Sequence, residues 1–195
     1  MASAVQICNL ALAMIGSRST ISSLSEESVE AQQCGLFYAL SLDAILEGFD
    51  WPFARRKATL AQVGTPPTDW VYQYAYPNDC LAVREVIRLA RELDPIPYTI
   101  HFDSEQNTRV ILSDEADLVI RYTAKVPNEA VLSPLFVKAL AAHLAIELTI
   151  PLTRDMKLLS TINERYVMAI RDAWAGAASE SDPDEERTAS WIEGR

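Results

Sequence analysis

The chain has 195 residues, 49% of them hydrophobic, enough for one domain or two small ones with a sizeable core. Its formal net charge of −10 argues against a general nucleic-acid binder, because gripping phosphate requires a surplus of Lys and Arg. The cysteines, Cys8, Cys34 and Cys80, are odd in number and far apart, which fits reduced, mostly buried thiols better than a disulfide framework or a CxxC metal site.

In chain order, "MASAVQICNL" has no basic region ahead of its apolar run, which argues against a signal peptide. Val5, Cys8, Leu12 and Ile15 recur at three- and four-residue spacing, so a short helix is expected from about Ser3 to Ile15, closed by Gly16. After a Ser/Thr-rich turn, Ser25 is the expected N-cap of a second helix, with Glu26 and Glu27 facing the positive end of its dipole. Val29, Leu36, Tyr38, Leu40, Ala44, Ile45 and Phe49 sustain this helix until Pro52 forbids its continuation.

From Lys57 to about Val126 the segments become short and rich in Val, Ile, Tyr and Thr, separated by "GTPPTD", "PNDC", "LDPIP", "SEQN" and "SDEA". This pattern predicts an antiparallel sheet of about five or six strands. Ser133-Pro134 then reads as an N-cap and first helical residue, and Ile150-Pro151-Leu152 as the break after a third helix ending near Leu148. Thr153 and Asp155 open a long fourth helix. The longest apolar run, "ALAAHLAIELTIPL", is interrupted by His143, Glu147 and Pro151, so no membrane span is expected. The tail beyond Ser179 is acidic and almost free of apolar residues until Trp191-Ile192, a composition expected to be flexible.

The expected fold is therefore α+β. A helix pair over residues 1–56 and another over 128–178 form one bundle of about four helices, with an antiparallel β-domain inserted over 57–127 and a flexible acidic tail over 179–195. The aromatic knot Phe49, Trp51, Pro52 and Phe53 falls where the chain leaves the bundle for the sheet. The basic residues Arg55, Arg56 and Lys57 follow at the start of the first strand.

Chemistry-bearing motifs are sparse. There is no GxGxxG, no GxxxxGK[ST] and no GxSxG. His143 and Glu147 share a helix face at the spacing of two metal ligands, but they do not form HExxH. His101 lies on an expected strand, and Cys80 follows Asp79 in a turn. An enzyme or metal-binding protein using Cys80, His101 or His143 is one reading, and a small interaction module is another. The acids of "SDEAD" (Ser113 to Asp117) read better as a solvated hairpin turn than as a cation site.

The segments "ICNLALAMIG", "SLSEESVEAQQC", "WPFARRKATLA", "WVYQYAYPNDCL", "DEADLVIRYT" and "LSPLFVKALAAHLAIELTIPLT", in that order, resemble the head-to-tail adaptor family of tailed bacteriophages. Within it the chain looks most like the tail tubular protein A type of short-tailed phages. The likeness covers roughly residues 4–175 and is carried by segment order rather than by one signature. It departs at Leu42-Asp43, where relatives often carry Arg-Asp.

The resemblance implies a structural virion protein in the tail or neck, present in the host cytoplasm during assembly. Its copies form a ring, generally of twelve, beneath the portal protein. The ring extends the DNA channel and docks the next tail or nozzle component. It implies no enzyme activity, cofactor, metal or membrane, and genomic DNA that passes through the lumen without specific binding. Since such adaptors tend to engage the portal through their C-terminal segments, Trp191 and Ile192 become candidate portal contacts; the closing "IEGR" is also a protease recognition sequence used in expression vectors, and a vector-derived end is the alternative reading. Arg55 and Arg56 become candidate intersubunit or docking contacts.

Overall fold

The computed structural model describes residues 2–88, 96–126 and 128–180. Among these residues the fold is α+β, with four α-helices and two small antiparallel sheets. The helices are α1 (Ala4–Met14), α2 (Val29–Gly48), α3 (Pro134–Thr153) and α4 (Met156–Glu180). The strands are β1 (Arg55–Thr59), β2 (Tyr72–Ala75), β3 (Cys80–Arg88), β4 (Thr99–Asp103), β5 (Thr108–Ser113) and β6 (Leu118–Ala124).

Local chemistry explains most helix ends. Ser3 caps α1 in a reciprocal box: its hydroxyl accepts from Gln6 N while the Gln6 side chain accepts from Ser3 N. At the other end Gly16, at φ +79°, lets Ser17 N reach Leu12 O and Gly16 N reach Ala13 O, which is the Schellman closure.

The α2 cap differs from expectation. Ser28, not Ser25, accepts from Ala31 N, because Glu26 turns back to accept from the backbone and hydroxyl of Ser22 and holds that segment as a loop. Ser133 caps α3 as expected, accepting from Phe136 N. The helix does not break at Pro151, however, and continues to Thr153. A proline so close to the end removes only one intrahelical donor, and the hydroxyls of Thr149 and Thr153 back-bond Ala145 O and Thr149 O at 2.6 Å across that turn. Arg154 then closes it in the left-handed conformation. Asp155 starts α4 by accepting from Lys157 N and Leu158 N.

The chain forms two compact units. The helical unit contains residues 2–35 and 132–180, so α1, α3, α4 and the first part of α2 belong to it. In it α3 packs against both α1 and α4. Phe136, Leu140, Leu144 and Leu148 make a buried four-residue-spaced ridge on α3. The side chain of Asn9 on α1 bonds both backbone groups of Ile21, at 2.8 and 2.9 Å, and so pins the Ser/Thr-rich loop. By length and composition alone α3 is long and apolar enough to cross a membrane. Over half of that stretch is buried, as in a core helix.

The β unit spans residues 36–131 and includes the rest of α2. Its strands divide into two three-stranded antiparallel sheets, ordered β1-β6-β3 and β2-β5-β4. The segment "SDEAD" is therefore not a hairpin turn. It carries the chain from the centre of one sheet to the centre of the other, with Asp117 at φ +54°. Asp114 accepts from Val71 N, and Glu115 O accepts from the Tyr74 hydroxyl, which ties this crossover to β2. Tyr74 and Ile111 from one sheet and Val86, Leu118 and Ile120 from the other belong to one buried cluster.

Candidate functional site

The aromatic knot is a structural joint of the β unit. Trp51 is fully buried, and its indole donates to Ile45 O at 2.9 Å. Phe49 meets it edge-on with centroids 5.0 Å apart, and Phe53 stacks on it at 5.9 Å. The basic residues beside it have local acidic partners. Arg55 forms a two-point contact with Asp50, through Nε at 3.1 Å and a terminal nitrogen at 3.0 Å. Arg56 reaches Asp79 at 2.6 Å, and Asp79 also accepts from the Tyr122 hydroxyl. Arg56 remains about half exposed, and of the two expected docking residues it offers more surface to a neighbour. Asp43, at the departure from the resembled family, pairs with Lys125 at 2.8 Å, while Leu42 beside it is buried.

Of the residues of the enzymatic alternative, Cys80 and His101 lie on different sheets of the β unit. Cys80 is buried on β3, and burial pushes its thiol above the usual range, the reverse of an activated nucleophile. Arg109 stacks over the neighbouring Tyr76 ring at 4.2 Å. His101 lies exposed on β4, in the other sheet, lining a polar cleft of about 440 Å³ with Gln73, Asp103 and Gln106. Asp103 there accepts from Glu105 N, Gln106 N and the Gln73 side chain, and these bonds, led by that from Gln106 N, hold its carboxyl below the usual range. Gly64 closes the same cleft at φ +60°, where a Cβ would meet the Gln106 and Gln73 amides at 2.6 and 2.7 Å.

His143 belongs to the helical unit, with its ring edge-on to Tyr166 at 5.1 Å and a buried Nδ1 that has no hydrogen-bond partner. Burial lowers its pKa, and Glu147 partly offsets this. Among the described residues no three His, Cys, Asp or Glu side chains form a metal-binding group. Cys8 and Cys34 are both fully buried, and the neighbouring Cys34 thiol together with burial pushes the Cys8 thiol up.

The clearest candidate features are exposed apolar faces. On α2, Leu36, Ala39, Leu40 and Ala44 recur at three- and four-residue spacing and are all exposed. On β4, Ile100 and Phe102 alternate onto one face, 44% and 55% exposed, and β4 is the edge of its sheet. The helical unit carries its own cleft, lined by Met14, Lys138, Ala142, Arg165, Met168 and Ala169.

Sequence reading missed Arg84, which ties β3 to the end of α2, because an arginine inside a strand pattern has no local signature. It also missed the β4 edge, whose exposure depends on which strands pair. Trp191 and Ile192 lie outside the described residues. No protein-family model matches the chain, and no curated protein sequence matches it.

Proposed function

We propose that the chain is a structural ring subunit, a head-to-tail adaptor that assembles beneath a phage portal and docks the next tail or nozzle component. The observation that carries this reading is the pair of unlike apolar faces on the β unit, the α2 ridge around Leu36 and Leu40 and the β4 edge around Ile100 and Phe102. A closed ring needs a heterologous junction, in which one patch of a subunit meets a different patch of the next. Large apolar side chains exposed on two separate elements suit that junction better than a two-fold dimer, which reuses one patch.

The acidic charge agrees with a lumen that lets DNA pass without gripping it. Residues 1–50 hold six acids against one base, so like-charge repulsion opposes self-association until a portal template gathers the subunits. Arg56 is a docking contact at the ring or portal surface, and Trp191 with Ile192 anchors the chain in a portal pocket.

The test is electron microscopy of the purified chain with and without its portal protein. Monomers or small oligomers alone and rings on the portal are expected. A stable dimer or tetramer that never rings on the portal overturns the proposal.

A further inference from the structure

The helical unit contains a cleft of about 310 Å³ with an apolar floor and two cations at its edge. Met14 comes from the last turn of α1, Lys138 and Ala142 are one turn apart on α3, and Arg165, Met168 and Ala169 are one turn apart on α4. Ala142 and Ala169 are buried and form the floor, while Met168 is 60% exposed. Methionine side chains adapt to an incoming ring, and an apolar cleft with a few convergent charges is a common ligand-site composition.

We infer that this cleft holds the chain's own acidic tail, with the Trp191 indole and Ile192 on the Met14–Met168 floor and the acids of residues 182–186 facing Lys138 and Arg165. The chemistry matches in both parts. The tail beyond Glu180 carries five acids against two bases, with four of those acids at Asp182, Asp184, Glu185 and Glu186, just ahead of Trp191. Two cations beside an apolar floor would recognise that sequence better than a neutral or basic peptide. Trp and Ile are also the only large apolar residues of that segment, and an aromatic anchor in a desolvated pocket dominates the binding of such peptides.

The reach also fits. Met168 lies about 18 Å back along α4 from Glu180 at 1.5 Å per residue. Trp191 is eleven residues beyond Glu180, about 36 Å of extended chain, enough to turn and return with slack. Because the tether is short, docking within one chain is favoured over capture of a second copy's tail at low concentration. The inference does not rest on the ring reading. If that reading holds, a portal pocket would compete with this cleft for the same two residues, leaving the anchor stowed until the partner is met.

The test uses methyl NMR of the full chain, whose methionines are Met1, Met14, Met156 and Met168. A docked indole shifts the Met14 and Met168 methyl signals upfield by its ring current and leaves Met156, twelve residues earlier on α4, unmoved. Trp191→Ala is expected to abolish that shift without altering the circular dichroism spectrum. Lys138→Glu with Arg165→Glu, both exposed positions, is expected to reduce the shift, as is added salt. Met14 and Met168 signals that are identical in wild type and Trp191→Ala overturn the inference. A shift that grows with protein concentration also overturns it, by assigning the tail in the cleft to a second copy. A shift that survives both charge reversals and salt overturns the acidic pairing.

Discussion

Arg84, on β3, donates to the backbone carbonyl of Phe49 at 2.8 Å, just past the end of α2. The same terminal nitrogen reaches Glu47 O at 2.8 Å and Leu46 O at 3.4 Å, and Nε donates to Thr123 Oγ1 at 2.8 Å. The last carbonyls of a helix lack intrahelical donors and carry the negative end of the dipole, so a guanidinium is a fitting terminus there. Planar donors also let one side chain serve a helix end and a strand together. Arg84→Ala is expected to lower stability by about 1.5–3 kcal/mol, the range for hydrogen bonds to a charged group. Arg84→Lys should recover less than half, since an ammonium cannot span both partners. Urea denaturation of the two variants decides it, and an unchanged midpoint for Arg84→Ala would rule this role out.

Trp51 gives a second stability prediction. Its ring is fully buried between Phe49 and Phe53. Truncation to alanine should cost about 3–5 kcal/mol, as for other large aromatic cores. Trp51→Phe should cost less, because it keeps most of the packing but leaves Ile45 O without its indole donor. A melting temperature unaffected by Trp51→Ala would show that the knot is not core.

His143 makes the helical unit sensitive to acid. Burial holds its folded-state pKa below the ordinary 6.5, so as pH falls the unfolded chain takes up this proton first. Its contribution to stability is therefore fully present above pH 6.5 and is lost as pH falls through the lower, folded value. Replacement by phenylalanine keeps a ring against Tyr166 and removes the titration. Below pH 6.5 the wild type should lose stability faster than His143→Phe. Parallel stability–pH curves for the two proteins would refute the effect.

The proposed ring junction predicts unusual mixing behaviour. Leu40→Asp and Phe102→Asp alter exposed positions on α2 and β4, so neither should change the unfolding free energy by more than about 0.5 kcal/mol. Each should abolish ring formation on the portal. A minority of either variant added to wild type should also stop closure, because each retains one intact face and docks without extending. Electron microscopy of titrated mixtures reads this directly, and full rings containing either variant would remove its face from the junction.

The thiols offer a simpler check. Cys8, Cys34 and Cys80 are all buried, and burial raises the pKa of Cys80. None should react with an aromatic disulfide reagent at neutral pH in the native state, and all three should react in denaturant. Rapid native labelling at Cys80 would revive a nucleophilic role for it.

Near-neighbour chemistry was legible in the sequence. The closure of α1 at Gly16, the start of α3 at Ser133-Pro134 and the start of α4 at Asp155 follow from caps that act within a few residues. The α+β class followed from the change of hydrophobic period between the helical and strand segments. Where two local signals competed, the outcome depended on neighbours. Glu26 bonded back to Ser22 and shifted the α2 cap to Ser28, and Thr149 and Thr153 carried α3 past Pro151.

Only the tertiary structure decided how six strands pair, because alternation specifies which face of a strand is buried but not its neighbour. That pairing put β4 at an edge and exposed Ile100 and Phe102. It likewise took three-dimensional placement to bring Arg84 to the end of α2, thirty-five residues from Phe49, and to gather Lys138 and Arg165 around one apolar cleft. A long polar side chain has no intrinsic partner in the sequence. Its role is set by which backbone or charge the fold brings within hydrogen-bond reach.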